Sequence, residues 1–275
     1  MTTTMAASSA AASKQSIRDH YDSFAGFYRA FWGDHIHHGL FLRGNESSKQ
    51  AQIQLLEHCV ALSGIGERAR VLDIGCGHGG TSIYLARRHG CKVTGLTLSP
   101  RQAELAARAS RRAGVEDCVE FLVADAEHYE FPAGRYDAVW TMESSEHFAA
   151  KARYFRNAAP ALAPQGALLL AAWTGNMRSP RVAEVARIFL CPELQTADEY
   201  RRQMQDAGLT IAAEQDLSCQ VSRTWEICRW RTRLAAPIKL FVSADKREFV
   251  RGIDVILDAY RAGDLRYSLL VGKKI

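Results

Sequence analysis

One stretch constrains the fold more than any other: Val71-Leu72-Asp73-Ile74-Gly75-Cys76-Gly77-His78-Gly79-Gly80. A short apolar run enters a glycine loop and leaves as a helix. This is the opening of an α/β sheet, in which glycine permits a tight turn and lets a ligand approach the backbone. The flanks continue the alternation. Residues 47–62 place Ile53, Leu56 and Val60 on one helical face. Strands are expected at 71–74, 92–96, 119–123, 136–142 and 167–173, with helices at 81–89, 99–113 and 150–162 stopped where Gly90 and Gly114 follow the first two. Strands separated by helices imply right-handed crossovers and a largely parallel sheet. Thr196 and Glu199 form a capping-box pattern for a helix ending at Gly208, and strands follow at 210–216 and 267–271. Between those two strands, Phe249, Ile253, Ile256, Leu257 and Tyr260 recur at helical spacing.

The expected architecture is thus α/β: a seven-stranded, Rossmann-like, mostly parallel sheet. It carries a loose tail over 1–15, an N-terminal lid over 16–62, a core over 63–216, a helical cap over 217–262 and a last core strand in 263–275. Composition agrees with a globular chain: 275 residues, 47% hydrophobic and 24% charged. No apolar run reaches the ~18 residues of a membrane span. The opening residues lack the basic start and apolar block of a secretory signal. Seven cysteines, an odd number without a C-x-x-C, speak against a disulfide framework or structural zinc and for a reducing cytoplasm. The formal charge of +5 is spread over solvated helix faces, with an anionic substrate or lipid surface as the alternative reading.

The glycine loop alone is ambiguous. Gly75, Gly77 and Gly80 satisfy the dinucleotide pattern, while Gly75, Gly77 and Gly79 satisfy the D-x-G-x-G-x-G pattern of S-adenosylmethionine enzymes. Asp73 favours the second, because a carboxylate there lies beside a cationic ligand rather than a pyrophosphate. Asp125, followed by Ala126 after the third strand, can accept the exocyclic amine of adenine; its alternative role is a turn or helix cap.

With these features the chain resembles the class I S-adenosylmethionine-dependent methyltransferases, strongly over Val71 to Trp173. Three further stretches resemble the tocopherol methyltransferases and related small-molecule enzymes, and more distantly the cyclopropane-fatty-acid synthases. They are His20-Tyr21-Asp22 through Gly39, Gly95 through Gln102, and Met142 through Phe148. The resemblance implies S-adenosylmethionine as cofactor and S-adenosylhomocysteine as product. It implies that Tyr21 and Tyr28 belong to a lid over the sulfonium, and that His38 and Gly39 lie against the methionine portion. The acid that often grips the ribose after the second strand is missing, and Glu104 sits inside the next helix. Thr97, Ser99 and Gln102 are the substitutes that the narrower group implies.

Glu143, Glu146 and His147 follow the fourth strand at the carboxyl edge of the sheet, where ligands gather. Histidine ordinarily titrates near pH ~6.5 and takes protons near neutrality, so His147 is either the base for an acceptor or a packing residue of the next helix. Glu143 reads as a cofactor or lid contact. In the cyclopropane synthases a similar Glu-His pair helps bind bicarbonate, so Glu146 and His147 do not choose between chemistries. His35, His37 and His38 lack further ligands at metal spacing, so no metal is expected.

The acceptor is expected to be a hydrophobic phenol, quinol or aromatic amine. Phe24, Tyr28, Phe31, Trp32, Trp225, Trp230 and Phe241 offer either an aromatic pocket or ordinary core. A nucleic acid is disfavoured, since no Asn-Pro-Pro or Asp-Pro-Pro clamp for a flipped base follows the fourth strand. The rival readings are cyclopropane-type lipid modification, a nicotinamide oxidoreductase and a cofactor-binding protein without catalysis. Oligomeric state is not legible.

Overall fold

A computed structural model describes residues 14–19, 22, 33, 35–234 and 244–275. After a helical stretch at 14–19, α1 (Ser48–Ser63) leads into β1 (Arg70–Ile74), α2 (Gly80–His89), β2 (Lys92–Thr97), α3 (Pro100–Ala113), β3 (Val119–Val123) and β4 (Tyr136–Met142). A single 3-10 turn at Ser145–His147 precedes α4 (Lys151–Ala161), β5 (Leu162–Gly175), α5 (Pro180–Ile188), α6 (Ala197–Asp206) and β6 (Leu209–Asp216). The helices α7 (Ser218–Val221), α8 (Arg223–Leu234) and α9 (Ala244–Arg261) then intervene before β7 (Leu265–Lys274).

The strands form one seven-stranded sheet in the order β3-β2-β1-β4-β5-β7-β6. The first five are parallel to their neighbours, whereas β7 runs antiparallel to both β5 and β6. That reversal is not implied by the alternation of strand and helix. A parallel pair requires a crossover, but a helical insertion of any length can also join an antiparallel pair.

Alternate residues of each strand enter opposite cores. Val71, Trp140, Leu169 and Val271 face one layer together with Leu55, Val185 and Ile256 from the helices. Leu72, Val139, Leu168 and Leu270 face the other, against Tyr154 and Phe155 of α4 and Met204 of α6. Strands covered on both faces read as near-continuous apolar runs, as residues 167–173 of β5 do.

Two elements differ from expectation. Helix α5 is additional to the expected helices; Ser179 before Pro180 is its start signal, and Val182, Val185, Ala186 and Ile188 line its buried side. Strand β5 begins five residues before the apolar run at 167–173. Pro164-Gln165-Gly166 looks like a turn, yet the chain stays extended through a register shift opposite Tyr136 and Ala138, with Gln165 at φ +63°.

Candidate active site

The glycine loop closes against its neighbours through backbone. Gly75 and Cys76 both donate their N–H groups to the Leu96 carbonyl, at 2.8 and 2.9 Å. Gly75 lies at φ +74°, and a Cβ there would stand 2.3 Å from that of Ser144. Ser144 in turn donates from Oγ to the Ile74 carbonyl at 2.8 Å. Glycine therefore lets the turn after β1 approach the turn after β4. Sheet order reverses between β1 and β4, the place where open α/β sheets bind ligands.

A cavity opens over these strand ends, with about 880 Å³ of empty space including its mouth. Its walls bring together Gly75, Gly77, Thr97, Ser99, Gln102, Asp125, Ala126, Glu143 and His147, nine of the residues singled out from sequence. A smaller hollow holds Asp73 and shares Ile36, Gly75, Gly77 and Met142 with it. Asp73 is buried and accepts a 2.6 Å hydrogen bond from Ser82 Oγ. Burial pushes its pKa up to about 6, against the opposing hydrogen bonds from Ser82.

The replacement set after β2 is self-consistent. Thr97 Oγ1 donates to Gln102 Oε1 at 2.7 Å, and Ser99 caps α3 by accepting from the Gln102 N–H at 3.0 Å. A carboxylate does reach this place, from an unexpected direction: Asp22 Oδ1 accepts from Ser99 Oγ at 2.5 Å. Sequence reasoning missed it because 77 positions separate the pair. Glu104 lies out on α3, pairing with Arg108 at 3.7 Å.

Asp125 takes the turn role and also lines the cavity. Oδ1 accepts from the Glu127 N–H at 3.0 Å in a turn, while the carboxylate also faces the cavity. Burial lifts its pKa, but hydrogen bonds from Lys14 and His128 outweigh this and hold it below the ordinary range. Lys14 also pairs with Glu127 at 2.7 Å, and it lines the cavity with Ile17 and Arg18.

His38 and Gly39 are not among the residues lining this cavity. The His38 backbone N–H donates to Glu143 Oε1 at 2.8 Å, and its Nδ1 lies 2.9 Å from Oε2. Its Nε2 accepts from the Trp225 indole N–H at 2.6 Å. An indole only donates, so Nε2 carries the lone pair and Nδ1 the proton. Gly39 packs on α1, where a Cβ would stand 2.5 Å from that of Ala51, and its N–H donates to Thr224 Oγ1 at 3.0 Å. Tyr267 completes the Glu143 shell through a 2.9 Å hydrogen bond. Burial would raise the Glu143 pKa; the His38 imidazole and N–H outweigh it and hold the carboxyl below its usual value.

The Glu146-His147 pair is divided by the 3-10 turn. His147 lines the cavity, and its Nδ1 lies 3.2 Å from the Leu190 carbonyl. A carbonyl only accepts, so Nδ1 carries a proton. Glu146 points the other way. It is buried, accepts from the Trp173 N–H at 2.7 Å, and leaves Oε2 without a hydrogen bond. Burial pushes its pKa up to about 8, so it holds a proton at neutral pH.

Of the aromatic residues that offered either a pocket or ordinary core, the two described ones, Trp225 and Trp230, do not line the cavity. Trp225 packs in the core at 5.4 Å from Phe189 and 5.9 Å from Trp173, and Trp230 is 62% exposed. Phe148 is the aromatic hydrocarbon ring among the described cavity walls. Tyr21, Tyr28, Phe24, Phe31, Trp32 and Phe241 lie outside the described residues. The His35 and His37 rings lie 5.3 Å apart between centroids, tilted by 54°; burial, then His37, lowers the His35 pKa to about 3. No group of three or more described His, Cys, Asp or Glu residues is arranged to hold a metal.

A sheet of this order, with a glycine loop after β1, an Asp after β3 and a cavity across both, is the frame of the S-adenosylmethionine-dependent methyltransferases, and the chain is an enzyme of that class. It belongs to the mycolic acid cyclopropane synthetase family, whose profile matches residues 8–262. The chloroplastic tocopherol O-methyltransferase of Arabidopsis thaliana is 28% identical over 98% of this chain and 84% of its own length. The 27-O-demethylrifamycin SV methyltransferase of Amycolatopsis mediterranei (strain S699) is 31% identical over 74% of this chain and 77% of its own. Among solved structures, the cyclopropane synthase MmaA2 from Mycobacterium tuberculosis superposes with a TM-score of 0.85 at 22% identity, covering 95% of this chain and 98% of that one.

Proposed function

We propose that the chain transfers a methyl group from S-adenosylmethionine to a hydrophobic aromatic small molecule, a phenol, quinol or aromatic amine, by in-line displacement. The observation that carries this reading is that His147 and the glycine loop wall one cavity. The residues fit the cofactor. Asp73, Gly75 and Gly77 would hold the amino-acid portion, Thr97, Ser99 and Gln102 the ribose, and Asp125 with Ala126 the adenine. When bound, the cofactor supplies an electrophilic methyl group on a sulfonium.

The protein's part is alignment and proton management. Apolar walls at Ile74, Leu96, Leu98, Met142 and Phe148 exclude water. His147, on the cavity wall with Nδ1 directed at Leu190, is the candidate base for the acidic proton of a phenol. Glu143 carries a cofactor contact into the core, and His38 and Gly39 act through it as positioning residues. Tyr21 and Tyr28 complete the lid in this reading. The relatives' names support the acceptor class: one is a tocopherol O-methyltransferase, and another is a 2-methyl-6-phytyl-1,4-hydroquinone methyltransferase.

The test is transfer of labelled methyl to a mixed panel of phenols, quinols, aromatic amines and phospholipid vesicles. Label in a small aromatic product is the expected result. The family match supports a second reading, modification of a lipid chain, and label in phospholipid alone would establish that one instead. The cofactor placement is tested separately: Asp73→Ala is expected to abolish S-adenosylhomocysteine binding, and undiminished affinity overturns it.

A further inference from the structure

Cations line one flank of α1 and exposed hydrocarbon the other, and the first turn of the helix lies between them. A groove of about 1790 Å³, open to solvent, runs between α1, α2 and α3. Lys49, Arg87, Arg88, Arg101 and Arg112 line it, and no Asp or Glu stands among its described lining residues. Arg88 lies 4.0 Å from Glu57; the other four cations are exposed and have no acidic partner among the described residues. The floor is apolar, formed by side chains such as Ile53, Ile83 and Leu105.

The other flank of α1 shows unprotected hydrocarbon. Five large apolar side chains are exposed among the described residues; two of them, Trp230 and Leu234, each 62% exposed, lie in the C-terminal half of α8, and Leu42, 65% exposed, lies near the opposite end of that helix. Trp230 and Leu234 are one helical turn apart on α8 and share a face. The first turn of α1 joins the two regions. Arg231 of α8 donates to Ser48 Oγ at 3.2 Å, and the next residue, Lys49, lines the groove. Phe41, beside Leu42, donates its N–H to the Gln220 carbonyl just before α8.

We propose that this face docks on an anionic phospholipid bilayer. The cations meet headgroup phosphates, and Trp230 and Leu234 enter the interfacial layer. A soluble phosphate ligand would use the cations and leave the exposed hydrocarbon without a function. A nucleic acid would use the cations and stack a base on Trp230, but it would leave Leu234 on the same helix face without a function. A bilayer surface uses both features together. The inference deepens the proposed function, because an acceptor dissolved in lipid is reached from the membrane surface. It is nevertheless measured without turnover, so either reading can fail alone.

The test is flotation of the full chain with vesicles of phosphatidylcholine alone, or with about a third phosphatidylglycerol. Strong partition onto the anionic vesicles, lost at high salt, is expected. The combined variant Arg87→Gln, Arg101→Gln, Arg112→Gln should bind them about 100-fold less tightly. Trp230→Ser with Leu234→Ser should also release the protein, with its thermal stability kept because both side chains are exposed. Failure of the wild-type chain to float with anionic vesicles overturns the proposal. So does wild-type partition by the triple variant, or binding to a single-stranded oligonucleotide that matches vesicle binding and ignores the Trp230 and Leu234 changes.

Discussion

At the scale of single residues, two glutamates three positions apart are held in opposite protonation states. Glu143, at φ +50°, is surrounded by donors from His38 and Tyr267 and stays ionised. Glu146 has one donor and a bare second oxygen, so burial keeps it protonated up to pH about 8. Its folded pKa exceeds its ordinary value, so the folded state binds the extra proton. Stability is therefore greatest at low pH on this account, declines as pH rises from the ordinary carboxyl range through about 8, and then levels off. Glu146→Gln should flatten that decline in thermal denaturation between pH 6 and 9; an unchanged slope would show that another group causes it. Trp225→Phe keeps a ring against Phe189 but removes the donor to His38, and should cost about 1–2 kcal/mol in urea denaturation. Asp73 and Asp125 were legible because each ends a strand that the apolar pattern locates. Asp22 and Lys14 were not: their partners lie 77 and 111 positions away, and nothing local marks the pairing.

At the scale of elements, glycine positions do different work. Gly79 lies at φ +78° as it caps α2, and a Cβ there would stand 2.9 Å from both Ala106 Cβ and the Phe121 ring. Gly79→Ala therefore combines left-handed strain with a clash between α2, α3 and β3, and should cost on the order of 2–3 kcal/mol by denaturant titration. A cost near zero would mean that the loop relaxes freely. The strand-helix series from β1 to β4 was readable almost to the residue, because strands buried on both faces are apolar runs and helices end at glycine. Helix α5 carried its start signal in Ser179-Pro180 but sits in a stretch without flanking alternation. The direction of β7 had no local signal, since pairing register is set by partners distant in sequence.

At the scale of the whole molecule, two helical layers cover one sheet, and its carboxyl edge gathers residues from four strands and their loops into one cavity. That gathering follows from topology, so most candidate site residues were legible once the sheet was. What sequence could not show was which side chains turn inward: Glu146 and His147 are adjacent in the chain and divided by a single turn. The most direct measurement of the central claim is methylation of a phenol by the wild-type chain and by His147→Ala, with S-adenosylhomocysteine affinity measured on both. The account predicts affinities that agree within about threefold and a rate about 100-fold lower for the variant, with the loss smaller for an aromatic amine. Equal rates on the phenol, with cofactor bound equally, would remove His147 from the chemistry and contradict it.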